Sequence, residues 1–173
     1  MKKIILSIIL YVFICTGFSY SQLKIGYIDS KTILSKLPDA QDARQKLDAI
    51  IKDWQTALKK LVDQKKEKQE DYDKRKLILT EQTRTELEDQ IKNLDQQITE
   101  YRDQKFGANG ELFKQQEELM KPVQNKIFTA IQAVANDESL DFVFDRSNAA
   151  VLLYAKDKYD VTSLVMDKLK LQQ

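Results

Sequence analysis

DARQKLDAIIKDWQTALKKL, residues 42–61, carries its apolar side chains at Ala43, Leu47, Ile50, Trp54, Ala57 and Leu61. The spacing alternates four and three. That is a heptad seam rather than a broad 3.6-residue stripe, and it predicts a left-handed supercoil with another helix. The seam lies inside a longer stretch, Asp39 to Gln104, that contains neither Gly nor Pro and is dense in Lys, Glu, Asp, Gln and Leu. No interior helix breaker is written into it. At about 1.5 Å per residue it would form a rod of about 100 Å, which must stay extended or fold back on itself.

Beyond Leu61 the seam turns polar. Gln64 and Lys68 fall in phase, and apolar residues resume at Tyr72 and Leu79 after a shift of one residue. The outer part of this helix is therefore expected to be weakly zipped. Thr83-Arg84-Thr85-Glu86 reads as a capping box with Thr83 as N-cap, which places a fold-back near residues 79–83. The alternative is one unbroken helix, since Thr is tolerated inside helices. A return seam follows at Leu87, Ile91, Leu94, Ile98, Tyr101, Lys105, Ala108 and Leu112. With the turn near 81, residues 41–78 run out and 84–121 run back, an arm of about 55 Å. Phe106-Gly107-Ala108-Asn109-Gly110 keeps the heptad phase, so it reads as a softened, kinked helix rather than a loop, at about 1 kcal/mol per Gly relative to Ala. In this pairing Gly107 and Gly110 face Gln55 and Lys52, with Trp54 between them. Either Trp54 covers backbone that has no side chain of its own, making an arm hinge of Trp54, Gly107 and Gly110, or it is only a bulky seam residue.

Composition agrees with long helices: 32% charged residues, four Gly, two Pro and a mean hydropathy of −0.50. Residues 1–21 read as a signal peptide, with Lys2 and Lys3 before an apolar Ile4–Cys15 core and a Ser19-Tyr20-Ser21 cleavage site. A lipoprotein would need a small residue before Cys15, where Ile14 stands. Removing Lys2 and Lys3 from 28 basic residues leaves 26 against 27 acidic, a net of −1. Such a balance gives no footing for nucleic acid. Cleavage would also remove the one Cys, leaving packing and oligomerisation to stabilise the chain.

The mature chain, 22–173, divides into a body (22–40 and 122–173) and the helical arm (41–121). Leu23 to Asp29 alternates as a strand with Leu23, Ile25 and Tyr27 on one face. Lys31–Leu37 is a short helical turn, and Asp39 is a candidate N-cap after Pro38. Pro122 should bend its helix or open a fresh first turn. Val123, Ile127, Ile131 and Val134 then form an apolar face. Leu140–Asp145 and Ala150–Ala155 read as two further strands around a turn at 146–148. Asp160 caps a last helix with Leu164, Val165 and Leu169 inward.

No His is present and the mature chain would lack Cys, so the common general bases, nucleophiles and zinc ligands are missing. No cofactor is implied, and the chain does not read as an enzyme. Paired carboxylates such as Glu117-Glu118 do not share a helix face. Lys74-Arg75-Lys76, beside Leu77, Ile78 and Leu79 at the arm tip, could touch anionic headgroups weakly, though Glu70, Asp71 and Asp73 dilute the charge.

The order of elements resembles the Skp/OmpH family of periplasmic chaperones. The matching residues are Lys24-Ile25-Gly26-Tyr27-Ile28-Asp29, Leu119 with Pro122, Ile127 with Ala130-Ile131, Asp141-Phe142-Val143-Phe144-Asp145, Val151-Leu152-Leu153-Tyr154-Ala155 and Asp160-Val161-Thr162. The resemblance implies a mainly α fold with a small β body of three strands per chain, joined into a homotrimer, from which antiparallel helical hairpins project as coiled-coil arms. It implies a periplasmic holdase that keeps unfolded outer-membrane proteins in a cavity between the arms without ATP. On that basis Ile25, Tyr27, Phe142, Phe144, Leu152 and Tyr154 are the expected core of the oligomeric body, and Leu77, Ile78 and Leu79 the expected client contacts at the tip. Well-known members are strongly basic, whereas this chain is near neutral once processed. A structural coiled-coil adaptor of the cell envelope is the competing reading, and it would need a surplus apolar stripe on the arm.

Overall fold

The computed structural model describes residues 23–147 and 152–171. In chain order these form β1 (Ile25–Ile28), α1 (Ser30–Lys36), α2 (Pro38–Arg75), α3 (Glu81–Phe106), α4 (Glu111–Asp137), β2 (Phe142–Asp145), a 3-10 turn at Asp157–Tyr159 and α5 (Thr162–Leu171). The signal-peptide reading of residues 1–21 lies outside the described residues.

Local chemistry explains most boundaries. Asp29 caps α1 by accepting from the Thr32 amide at 2.9 Å. Pro38 occupies the first turn of α2, where its missing N–H costs nothing. Asp39 is therefore inside the helix, not its N-cap, and its carboxylate pairs with Lys126 of α4 at 2.7 Å. The expected cap at Thr83 is displaced by three residues. Thr80 caps α3, taking the Thr83 amide at 3.3 Å and meeting the Thr83 hydroxyl at 3.0 Å. The reversal accordingly occupies residues 76–80. α4 runs straight through Pro122, which lies on its exposed side.

Between α3 and α4 the chain breaks, contrary to the softened continuous helix expected there. Gly107 ends α3 with φ −63° and ψ 168°, and Gly110 precedes Glu111 with φ −71° and ψ 176°. A Cβ on Gly107 would sit 2.3 Å from the Asp103 carbonyl oxygen, and one on Gly110 2.9 Å from that of Gln104. The tight turn is closed by Gly110 N–H donating to the Gly107 carbonyl at 2.8 Å, and Ala108, expected in the seam, lies exposed in it.

Among the described residues the sheet has two strands where three were expected. β1 and β2 are parallel, with Ile25 opposite Phe142 and Tyr27 opposite Phe144. Residues 152–155 carry no ladder, and the start of the expected third strand, 150–151, lies outside the described residues. A backbone bridge joins Tyr27 to Asp160 instead.

The core sits on the inner side of this sheet. Ile28, Ile33, Leu37, Ala40, Ala43, Val123, Ile127, Ala130, Val134, Val161, Val165 and Leu169 are buried together. Ile131 and Val143 pack against them. Leu164, expected inward, is exposed, and Val161 takes the inward place because Asp160 fixes the start of α5 by accepting from the Thr162 amide at 2.9 Å. Each fully buried aliphatic side chain is worth about 1.5–3 kcal/mol of apolar transfer.

Candidate functional site: an open apolar face and a jointed helical pair

The outer side of the sheet is apolar and uncovered. Register puts Ile25, Tyr27, Phe142 and Phe144 on this side. Phe142 and Phe144 stack with centroids 6.4 Å apart and remain about half exposed. Ile25 and Leu152 are exposed to a similar degree, and Tyr154 is 80% exposed. Tyr27 differs: it is buried within its own chain, with the Arg146 guanidinium 5.6 Å from its ring. A groove of about 390 Å³ runs between β1 and residues 152–159, lined by Ile25, Tyr27, Phe144, Leu152, Tyr154 and Tyr159. Among the described residues β2 pairs on one edge only.

A polar staple fixes the end of the sheet. Asp145 accepts from the Ser30 hydroxyl at 2.5 Å and from the Ser147 hydroxyl at 2.7 Å, along with both backbone amides. Burial raises the Asp145 pKa, but these donors together outweigh it and the carboxyl ends below its ordinary range. Asp29 is also lowered, first by the Thr32 amide and then, against some desolvation, by Arg146 at 3.1 Å. These bonds hold β1, α1 and β2 in one frame, so the outer face is presented by a rigid support.

α2 and α3 lie side by side with partners in opposite order: Lys65 with Asp95, Lys68 with Gln90 at 2.7 Å, Tyr72 with Glu88. The middle of this seam is a polar cleft lined by Gln64, Lys68, Gln90, Asn93 and Gln97. Nearer the reversal, Arg84 Nε is buried without a partner, while its Nη1 pairs with Glu81 at 3.3 Å. At the reversal, Leu77 and Ile78 are 93% and 82% exposed, and Leu79 is half-buried.

Near the break, the Trp54 ring meets Phe106 edge-on at 5.9 Å. Its neighbour is thus Phe106 rather than Ala108, a shift of two residues that follows from the earlier reversal. Lys105 stands 5.0 Å from the Trp54 ring and 5.9 Å from the Tyr101 ring, and it pairs with Glu111 across the turn. Sequence reading missed the roles of Lys105 and Glu111. The available signal was a lysine at a seam position, where an apolar residue belongs. Among the described residues no three His, Cys, Asp or Glu side chains gather as a metal site, and no helix is long and apolar enough to cross a membrane.

The chain matches the model of the family described as outer membrane protein (OmpH-like) over residues 24–169, and it belongs to that family. It is also similar to the crystal structure of a protein from Caulobacter crescentus CB15 proposed to be an outer membrane chaperone (OmpH-like), with a TM-score of 0.72 at 14% identity, covering 88% of this chain and 87% of that one. No curated protein matches it.

Proposed function

We propose that this protein is an ATP-independent holdase of the periplasm that receives unfolded outer-membrane proteins between the helical arms of a homotrimer. The observation that carries this reading is the exposed apolar face of Ile25, Phe142, Phe144, Leu152 and Tyr154, beside a β2 edge that no described residue pairs. A two-stranded sheet is marginal alone, and its edge invites further strands. Copies of the same chain satisfy both needs, and bringing bodies together sets their α2–α3 pairs around a common space. Membership in the OmpH-like family and the chaperone proposed for the Caulobacter protein supply the client class. Leu77, Ile78 and Leu79 at the tip are the first apolar surface a client would meet, and a membrane surface is a weaker partner for the same tip. Client binding needs no cofactor.

The adaptor reading would be favoured by a continuous apolar stripe along the arm. Between residues 38 and 106 the large exposed apolar residues are Val62, Leu77 and Ile78, which form no stripe.

Two measurements test the proposal. The purified protein, without nucleotide, should suppress aggregation of an unfolded β-barrel membrane protein; no suppression at one trimer per client counts against the holdase. Sedimentation equilibrium should give a trimer, and Phe144→Asp should dissociate it, because a carboxylate buried without a partner costs several kcal/mol. A folded wild-type monomer at micromolar concentration would sink the cavity.

A further inference from the structure

Lys105 occupies an unusual position. Its side chain is only 17% exposed, held between the Trp54 and Tyr101 rings and joined to Glu111 on the far side of the break. Gln104 reaches the same carboxylate at 3.0 Å. The hydrogen bond from Lys105 is the largest reason the Glu111 carboxyl titrates below its ordinary value, ahead of an opposing desolvation. The covalent link across the break is a four-residue turn, 107–110, so α3 and α4 are held in line chiefly by these side chains and by α2 alongside. α2 itself is continuous, and its one threonine, Thr56, lies about one turn beyond the break, two residues past Trp54, and donates its hydroxyl to the Lys52 carbonyl at 2.8 Å. Such a back-bond loosens the local ladder and bends helices. Below this level, α2 and α4 are tied into the buried core through Ala40, Ala43, Val123 and Ile127. Above it, residues 56–106 have no such attachment.

We propose that Lys105 is an ionic latch: its pair with Glu111, seated on Trp54, fixes the angle of the distal section (56–106), and release of the pair lets that section swing about residues 107–110. This rests on the arm reading above and names what regulates the arm. Salt weakens the pair, though a part-buried contact is screened much less than an exposed one, so removal of either charge is the stronger release. The cation over the aromatic rings makes the latch a cation site specifically, which arginine can fill and methionine cannot.

Distances between spin labels at Lys74→Cys and Gln124→Cys, in a Cys15→Ser chain diluted into unlabelled protein, read the angle directly. The lever from residue 56 to 74 is about 30 Å long, so a swing of about 15° moves the label by about 8 Å. Wild type at low salt should give a narrow distribution. Lys105→Met and Glu111→Gln should each broaden it by about that amount, Lys105→Arg should leave it narrow, and high salt should broaden wild type but not Lys105→Met further. The latch is overturned if Lys105→Met matches wild type, if Lys105→Arg is as broad as Lys105→Met, or if wild type is already broad at low salt. Circular dichroism of each variant separates loss of the latch from loss of fold. No client enters the measurement, so a failed holdase assay leaves its outcome unaffected.

Discussion

The core half of α4, with Val123, Ile127, Ala130 and Val134, and the distal α2–α3 pair share a four-and-three spacing but fold into different physics. In the body, α1, the start of α2, the second half of α4 and α5 surround one set of side chains, and Ala40, Ala130 and Val165 lose all contact with solvent. Between residues 44 and 109 the α2–α3 pair buries only Ile98. A seam between two helices covers each side chain from one direction, whereas a body of several elements covers it from all. The difference teaches that a sequence period reports which face turns inward, while burial depends on how many partners arrive. The distal pair compensates with polar cross-ties, which are directional but weak at a surface.

Core truncation should break the symmetry of the two regions most strongly. Ile33→Ala, at a site 1% exposed, should cost about 2–5 kcal/mol in urea unfolding. Ile98→Ala should cost less, because its two-helix surroundings can collapse onto the gap. Equal losses would mean that the distal seam is as tightly packed as the body.

The joint between the regions supplies the next test. Alanine has better helix propensity than glycine by about 1 kcal/mol, yet its Cβ at Gly107 would stand 2.3 Å from the Asp103 carbonyl oxygen. We expect Gly107→Ala to destabilise by about 1–3 kcal/mol, as overpacking does. A gain in stability would show that the break straightens into helix when allowed to.

The two regions should also fail at opposite ends of the pH scale. Asp29, in the body, has its folded pKa held below the ordinary carboxylate value, so its contribution is present above that ordinary value and is lost as pH falls through the depressed one. Tyr72, in the distal pair, is raised above 10.0 by its hydrogen bond to Glu88, so its contribution is present below 10.0 and is lost as pH rises through the raised value. The stability difference between wild type and Asp29→Asn should therefore shrink in acid, and that for Tyr72→Phe should shrink in alkali. A difference that stays constant with pH in either variant would remove that carboxylate or phenol from the ledger of its region.

Much of this was legible in the sequence where periodicity governs. The seams at Leu47–Leu61 and Leu87–Tyr101, the strand at Ile25–Ile28 and the inward face at Val123–Val134 follow from spacing alone. The turns were read less well because one backbone donor decides them: Thr80 and Thr83 are both plausible caps, and the sequence does not say which amide is free. Gly107 and Gly110 kept the heptad phase, so periodicity argued for a helix where steric crowding by two carbonyls closes a turn. Ile33 and Leu37 lie in and just after a seven-residue helix with too few turns to show a period, although they are central to the core. The third strand was inferred from alternation at 150–155, but residues 152–155 have no ladder within one chain. Of the candidate site, the aromatic strand face was visible as alternation; the burial of Tyr27 was not, because Arg146 and the 3-10 turn arrive from distant sequence.

The smallest expected effect asks whether body and arm are separate cooperative units. Ser139 is the one non-glycine residue with positive φ among the described residues, at 52°. It closes α4: the Leu140 amide donates to the Ala135 carbonyl at 2.8 Å, five residues back, the pattern in which a left-handed residue ends a helix and glycine is favoured. Serine there bears a left-handed penalty of about 1–2 kcal/mol. Glycine removes it but adds freedom to the unfolded chain, so Ser139→Gly should stabilise by about 0.5–1 kcal/mol. That gain reaches only the amides that open together with α4. With two units, hydrogen exchange should slow at residues 123–134 and stay unchanged at 87–98. A uniform slowing across both would join body and arm into one unit, and the weak burial of the distal pair would then have to be upheld by the joint rather than by its own seam.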